Sequence, residues 1–158
     1  MFRPIRKKKN EISPELAKQL LASARRGVLA LNGEDGYPYA IPINYRYCED
    51  ENRIYFHGAR AGYKVDLLKR SDRVCFTVCG DEAVKDEPWA PYVRSAVVFG
   101  RCRLLEPSPR TTQLVRQFAE KYYPSAELIE QELATAGKAV QMFEIEIEHL
   151  SGKEVQER

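Results

Sequence analysis

The 158-residue chain is short of the side chains from which metal and hydrolytic centres are usually built. It has only two histidines, His57 and His149, far apart in sequence, and its four cysteines (Cys48, Cys75, Cys79 and Cys102) show no paired short spacing. Cys75 and Cys79 fall on one face of a strand-like run, yet at strand rise they stand ~13 Å apart, too far to clamp one ion. A zinc site and a disulfide framework are therefore not expected, and the cysteines read as free thiols. No Ser-His-Asp pattern and no paired-carboxylate motif stands out, which leaves difficult chemistry to a cofactor. No apolar run approaches membrane-spanning length and no apolar segment follows the basic start, so the chain is expected to be cytoplasmic and free of membrane. Nor is charge of one sign in excess: 25 basic residues nearly cancel 23 acidic ones, for a net charge of +2 and a pI near 8.3. That balance gives little drive toward nucleic acid.

The exception is the start, where Arg3, Arg6, Lys7, Lys8 and Lys9 stand almost unopposed. Without interleaved aromatics they read as a solvated arm, residues 1–10, in preference to a nucleic-acid contact. Residues 11–158 read as a single domain, for which 44% hydrophobic residues supply an ample core.

Within that domain, Ser13-Pro14-Glu15 offers a capping hydroxyl, a proline for the first helical position and an acid at the positive dipole end. Leu16, Leu20 and Leu21 continue at helical spacing, and the helix is expected to end near Arg25-Arg26-Gly27. Gly27 to Leu31 reads as a strand and Asn32 to Gly36 as a hairpin turn. From Tyr37 to Tyr47 the chain alternates as one strand, Tyr39, Ile41, Ile43, Tyr45 and Tyr47 on one face and Pro38, Ala40, Pro42, Asn44 and Arg46 on the other. Its prolines cannot donate ladder hydrogen bonds, so the run should bulge or border a groove. Further strands are expected over 53–57, 73–79, 93–104 and 140–149, with Gly100 marking a bulge or a close approach. Helical spacing appears over 63–69, 111–123 and 125–135. By parity His149 shares the face of Phe143 and reads as structural. The fold class is α+β, mainly β: six strands in a barrel-like sheet with peripheral helices.

Two segments carry candidate chemistry. His57-Gly58-Ala59-Arg60-Ala61-Gly62-Tyr63-Lys64 is a strand end, a glycine-bracketed loop and a helix start. Free backbone N–H groups, a positive dipole end and the Lys64 ammonium there make a candidate phosphate cradle, although the segment is neither a Walker loop nor a Rossmann fingerprint. In the second, Pro42 beside Asn44 sets a missing donor next to an amide that both donates and accepts, as the edge of a flat heteroaromatic ligand requires.

The ordered set Asp35-Gly36-Tyr37-Pro38-Tyr39, Pro42-Ile43-Asn44-Tyr45, Ile54-Tyr55-Phe56-His57-Gly58-Ala59 with Gly62 and Lys64, Val74-Cys75-Phe76 and Ser95 to Gly100 resembles the FMN-binding split β-barrels of the pyridoxamine-phosphate-oxidase-like superfamily, in their nitroimidazole-resistance (NimA-like) branch. The resemblance spans roughly residues 11–153. It implies a six-stranded split barrel that forms a homodimer with FMN in grooves between protomers. The flavin ring is then expected along Pro42, Ile43 and Asn44, the phosphate near His57, Gly58, Ala59, Gly62 and Lys64, and Ser95 completing the site. It also implies His57 as the catalytic residue. The function so implied is an FMN-dependent oxidoreductase passing electrons from NAD(P)H to a small-molecule acceptor, a nitro compound among the candidates. Alternatives are a non-catalytic dimer that stores or senses flavin or another planar cofactor, deazaflavin and haem included, and a pyridoxamine-phosphate-oxidase-like enzyme. No convincing basic set for a second phosphate stands out. Trp89 and Tyr92 are candidates for covering a flavin or a dimer seam.

Overall fold

A computed structural model describes residues 1–85, 90–136 and 140–156. Among the described residues no helix is long and apolar enough to cross a membrane. The strands are β1 (Arg26–Asn32), β2 (Pro38–Asn44), β3 (Arg46–Cys48), β4 (Arg53–Gly58), β5 (Arg73–Cys79), β6 (Tyr92–Leu104) and β7 (Gln141–Gln156). The helices are α1 (Pro14–Ser23), α2 (Tyr63–Arg70), α3 (Pro109–Glu120) and α4 (Ala126–Ala136).

All seven strands join one antiparallel sheet in the order β2-β1-β5-β6-β7-β4-β3. The two end strands, β2 and β3, are consecutive in sequence and separated only by Tyr45. Strands joined by one residue cannot lie at opposite edges of a flat sheet, so the sheet curls until its edges meet. This corrects the expected count of six: the alternating run from Tyr37 to Tyr47 is two strands. β2 pairs with β1, while β3 pairs with β4.

Alternation sorts the side chains as expected. Tyr45, Tyr47, Ile54, Phe56, Phe76, Val98, Phe143 and Ile145 turn inward and form the main core. α1 contributes Ala17 and Leu21 to it, and α2 contributes Val65, Leu67 and Leu68. The Ser13 hydroxyl accepts from the Leu16 N–H at 3.2 Å, so the cap read from sequence forms. α1 nevertheless stops at Ser23, earlier than expected, because Arg26 is already laddered to Asn44 in β1. A second, smaller cluster of Tyr55, Leu114 and Met142 lies on the outer face, beneath α3.

β7 runs to Gln156, seven residues beyond the expected end, because its partner β6 is long enough to ladder it from Phe143 to Gln156. Serine, glycine and lysine at 151–153 hide that extension in the sequence. The β6–β7 register slips between Phe99 and Gly100, where Phe99 faces His149 but Gly100 faces Ile147. That bulge reverses the parity of the residues beyond it, so His149 does not share the Phe143 face. Its ring lies outside, 6.4 Å from Phe99 and 4.8 Å from Phe2 of the N-terminal arm. The arm is largely solvated, yet Phe2 also stacks on Phe99 at 5.5 Å and Glu11 bridges to Lys153.

Gly100 meets both expectations, bulge and close approach: a Cβ there would sit 2.2 Å from the Glu146 carbonyl oxygen and 3.0 Å from Ile145 Cγ2. Backbone cannot yield as a flexible side chain does. Gly100→Ala should therefore destabilise the fold by about 1–3 kcal/mol, read as a lower urea midpoint at unchanged m-value.

Candidate functional site

The site is built where the two edges of the sheet fail to join. β3 and β4 are in register, Arg46 opposite Tyr55, and were that register continued past Tyr45, Asn44 would fall opposite His57 and Pro42 opposite Ala59. No ladder forms there: β2 bonds on its other side to β1, with Val28 opposite Pro42 and Arg26 opposite Asn44. Proline at 42 has no N–H to offer across the gap. The edge of β2 at Pro42–Asn44 and the end of β4 at His57–Gly58 are thus left without a ladder to each other.

Tyr45 pins the closed end of the split. Its N–H donates to the Tyr122 hydroxyl at 2.8 Å, and its C=O lies 2.6 Å from the same oxygen. The Tyr122 hydroxyl is also 2.7 Å from the Arg25 carbonyl, so one phenol joins α3 to the start of β1 and to the β2–β3 crossing. Nothing in the sequence singles out Tyr122, which reads simply as the last member of the apolar face of α3.

His57 and Tyr55 point outward, beneath α3. The His57 ring meets Phe118 edge-on at 4.7 Å and lines a cavity with Val115, Ile129, Glu132 and Val140. His57 as a whole is exposed to solvent, its ring only partly covered by Phe118. Burial first, and Lys64 second, hold its pKa below the ordinary 6.5, with Glu132 opposing. His57 is thus a neutral imidazole near neutral pH, able to accept a proton at one nitrogen and donate at the other.

In the glycine-bracketed segment, Gly58 and Lys64 lie close together. Gly62, at φ +124°, precedes α2 and has no side chain with which to cap it, so the first-turn N–H groups face the loop. The Lys64 ammonium folds over the Phe56 and Phe143 rings at 5.2 and 4.7 Å. It reaches Gly58 so closely that a Cβ there would lie 2.7 Å from it. Burial lowers the Lys64 pKa, and among the described residues no carboxylate is ion-paired with it. The adjoining Tyr63 ring packs on Tyr39 of β2 at 4.8 Å, tying the start of α2 to the other side of the split.

Asn44 accepts from Arg26 Nε at 3.2 Å through its side-chain oxygen, which leaves its NH2 group to donate. Pro42 and Asn44 face outward, but the Ile43 side chain turns inward onto the core, so only its backbone can serve a ligand in the split. Ser95 is not gathered with the rest within one chain. It lies in β6, opposite Cys79 and Lys153, three strand positions from Asn44, or about 14 Å. Tyr92 begins the same strand, with Lys85 over its ring at 4.5 Å, and Trp89 lies outside the described residues.

Comparison with known proteins bears on the fold. The family described as pyridoxamine 5'-phosphate oxidase matches residues 13–154. No curated protein matches significantly. Among solved structures, a candidate 5-nitroimidazole antibiotic resistance protein from Bacteroides thetaiotaomicron is 17% identical, with a TM-score of 0.75 over 91% of this chain and 86% of that one. A FAD-binding protein from Mesorhizobium loti is 23% identical, with a TM-score of 0.65 over 92% and 97% of the two chains. A FAD and haem binding protein from Mycobacterium smegmatis is 20% identical, with a TM-score of 0.71 over 96% and 75%. Likeness at these identities establishes the shared fold.

The electrostatics of His57 are directly measurable. A histidine whose folded pKa lies below its unfolded value leaves stability untouched above about pH 6.5 and lowers it as pH falls further, because the unfolded chain takes up the proton first. The His57 imidazole should titrate by NMR with a midpoint below 6.5. Lys64→Met should raise that midpoint without restoring it fully, since burial is the larger cause.

Proposed function

The chain belongs to the pyridoxamine 5'-phosphate oxidase family, and from that premise we propose that it is a flavoprotein oxidoreductase holding FMN in the split between β2 and β4. The observation that carries this reading is that β2 and the end of β4 form no ladder with each other beyond Tyr45, with Gly62 and Lys64 beside Gly58 at the end of β4. The residues fit the group. The Asn44 NH2 and the backbone of Ile43 address the polar edge of a flat heteroaromatic ring, and Pro42 leaves that edge free of a competing N–H. The first turn of α2 and the Lys64 ammonium suit a phosphate, which the glycines at 58 and 62 let approach closely. Lys64 reaches such an anion by leaving its resting place over Phe56 and Phe143.

A bound flavin supplies reversible one- and two-electron transfer. The chain's own part is to bind, orient and handle protons. Phe118 packs against the His57 ring, and burial together with Lys64 keeps it neutral, so its N–H orients an acceptor by hydrogen bond, and outright proton donation falls to its minor imidazolium form. The donor is NAD(P)H and the acceptor a small molecule, nitro compounds being the favoured class. The M. loti and M. smegmatis structures bind FAD, and that of B. thetaiotaomicron concerns resistance to 5-nitroimidazoles. These support a flavin and a nitro substrate in turn. The cellular setting proposed is the cytoplasm.

The working unit is a homodimer. Two rows of cross-strand neighbours cover the outer face of the sheet without a formal charge: Pro42, Val28, Thr77, Val97 and Ser151, then Ala40, Ala30, Cys75, Phe99 and His149. Val28 and Phe99 remain 38% and 40% exposed. Polar and charged rows flank them, Asn44 and Arg26 with Ser95 and Lys153 on one side, Asn32 and Arg73 with Arg101 on the other. An apolar centre with a charged rim is the anatomy of an interface. A second copy on this face covers the outward side of Pro42 and Asn44 and carries its own Ser95 toward the site, which answers the separation within one chain.

The purified protein should take up FMN near stoichiometry, with flavin absorption bands that separate it from a haem or deazaflavin protein, and Lys64→Ala should weaken binding by about tenfold or more. A colourless protein indifferent to FMN overturns the reading. Val28→Glu, which sets a charge at the centre of the outer face, should turn a dimer into a monomer in sedimentation equilibrium.

A further inference from the structure

The outer face of the sheet is not bare: the chain's own N-terminal arm lies across one end of its apolar rows. Phe99 and His149 are cross-strand neighbours in β6 and β7, and their rings stand 6.4 Å apart on that face. The Phe2 ring lies nearly parallel to both, 5.5 Å from Phe99 and 4.8 Å from His149, at 11° in each case. A second copy that reaches Phe99 and His149 therefore meets Phe2 first.

The arm is fastened at its root and loose at its tip. Ile12 donates its N–H to the Gly152 carbonyl at 3.1 Å, and Glu11 bridges to Lys153. Lys8 pairs with Glu11 at 2.7 Å, and the Lys7 carbonyl accepts from the Asn10 N–H at 3.0 Å. Among the described residues none of residues 1–6 makes a hydrogen bond or an ion pair. Apolar contact alone, chiefly the stacked rings, holds the tip. Nor does the arm suit an interface between two copies. Arg3 adjoins Phe2, Arg6 and Lys7, Lys8 and Lys9 follow, and residues 1–10 hold no acid. Two such arms brought together on an apolar centre would set like charges against one another where water is removed.

We propose that the arm is a detachable cap: Phe2 and a second copy compete for Phe99 and His149, so that the chain dimerises on this face only after each copy has released its arm. The competition rests on the homodimer reading; the contact of Phe2 with the two rings does not. The face then has two alternative occupants, one from its own chain and one from another, and protein concentration decides between them.

The imidazole C–H signals of His149 report which occupant is present, and in a chain with two histidines His149→Gln assigns them. In the Val28→Glu monomer, Phe2→Gln should shift those signals, because it removes a ring stacked on them. In the dimer the same substitution should leave them in place. In a dilution series followed by sedimentation, Phe2→Gln should lower the dimer Kd about tenfold or more, since both copies lose a competing contact, while Phe2→Tyr keeps the wild-type value. A Kd that Phe2→Gln leaves unchanged or raises overturns the proposal, a rise assigning Phe2 to the interface itself. A shift of the His149 signals in the dimer as large as in the monomer overturns it too. If Val28→Glu fails to abolish the gain from Phe2→Gln, the dimer uses another face and the proposal falls. If neither wild type nor Phe2→Gln dimerises, the proposal and the homodimer reading fall together; if the wild type dimerises through Val28 but is indifferent to Phe2, the proposal alone falls.

Discussion

Tyr45 directs both its backbone N–H and its C=O to the hydroxyl of Tyr122 in place of neighbouring strands. Much of the molecule is arranged around that exchange. A residue between two strands at opposite edges of one sheet must abandon both ladders, and its polar groups are too buried to be left to water. One phenol satisfies them and carries the end of α3 with it. The Tyr45 side chain is then free to turn inward, where its ring meets Phe76 edge-on and its hydroxyl reaches the Leu21 carbonyl in α1. A single residue therefore ties together the core, the barrel's closure and the helix that walls the split.

Why the edges do not zip beyond Tyr45 is equally local. β2 is committed on one side to β1 through seven paired residues. On its other side Pro42 lacks a donor and the Asn44 side chain is engaged by Arg26. β4 meanwhile continues only to Gly58 and hands over to a loop bracketed by glycines. Each omission would weaken an ordinary sheet. Together they leave the edges of β2 and β4 unladdered beyond Tyr45, and edges of that kind suit a flat ligand with hydrogen-bonding groups better than they suit protein.

The sequence shows most of this architecture wherever the signal is local. Ser13-Pro14 announces α1, alternation announces which faces turn inward, and Gly100 announces the bulge. The glycine-bracketed loop and Lys64 also lie where their residue types imply. What sequence hides is what depends on partners. The break at Tyr45 is invisible because tyrosine continues the alternation without interruption. The far half of β7 is invisible because the ladder to β6 stabilises it in spite of Ser151 and Gly152. His149 is misplaced by parity because a bulge inserts one residue that no count of apolar positions can detect. Tyr122 and Phe118 look like core because helical spacing cannot tell a residue that packs from one that packs and also shapes a site.

Electrostatics then separates the roles along the split. At one end Lys64 rests on aromatic faces with no counter-charge. At the other, Arg25 and Lys121 lie over the Tyr122 ring near the C-terminus of α3. Between them His57 is pushed toward its neutral form. A fold selected for stability alone would place a glutamate among those cations, as it does at Glu144, which is buried against Arg53 and Arg103. Leaving positive charge unpaired in a half-buried position, as at Lys64, opposes folding unless something else supplies the negative charge. On the flavin reading, the partner that Lys64 lacks within the chain is the phosphate of the ligand that enters the slot.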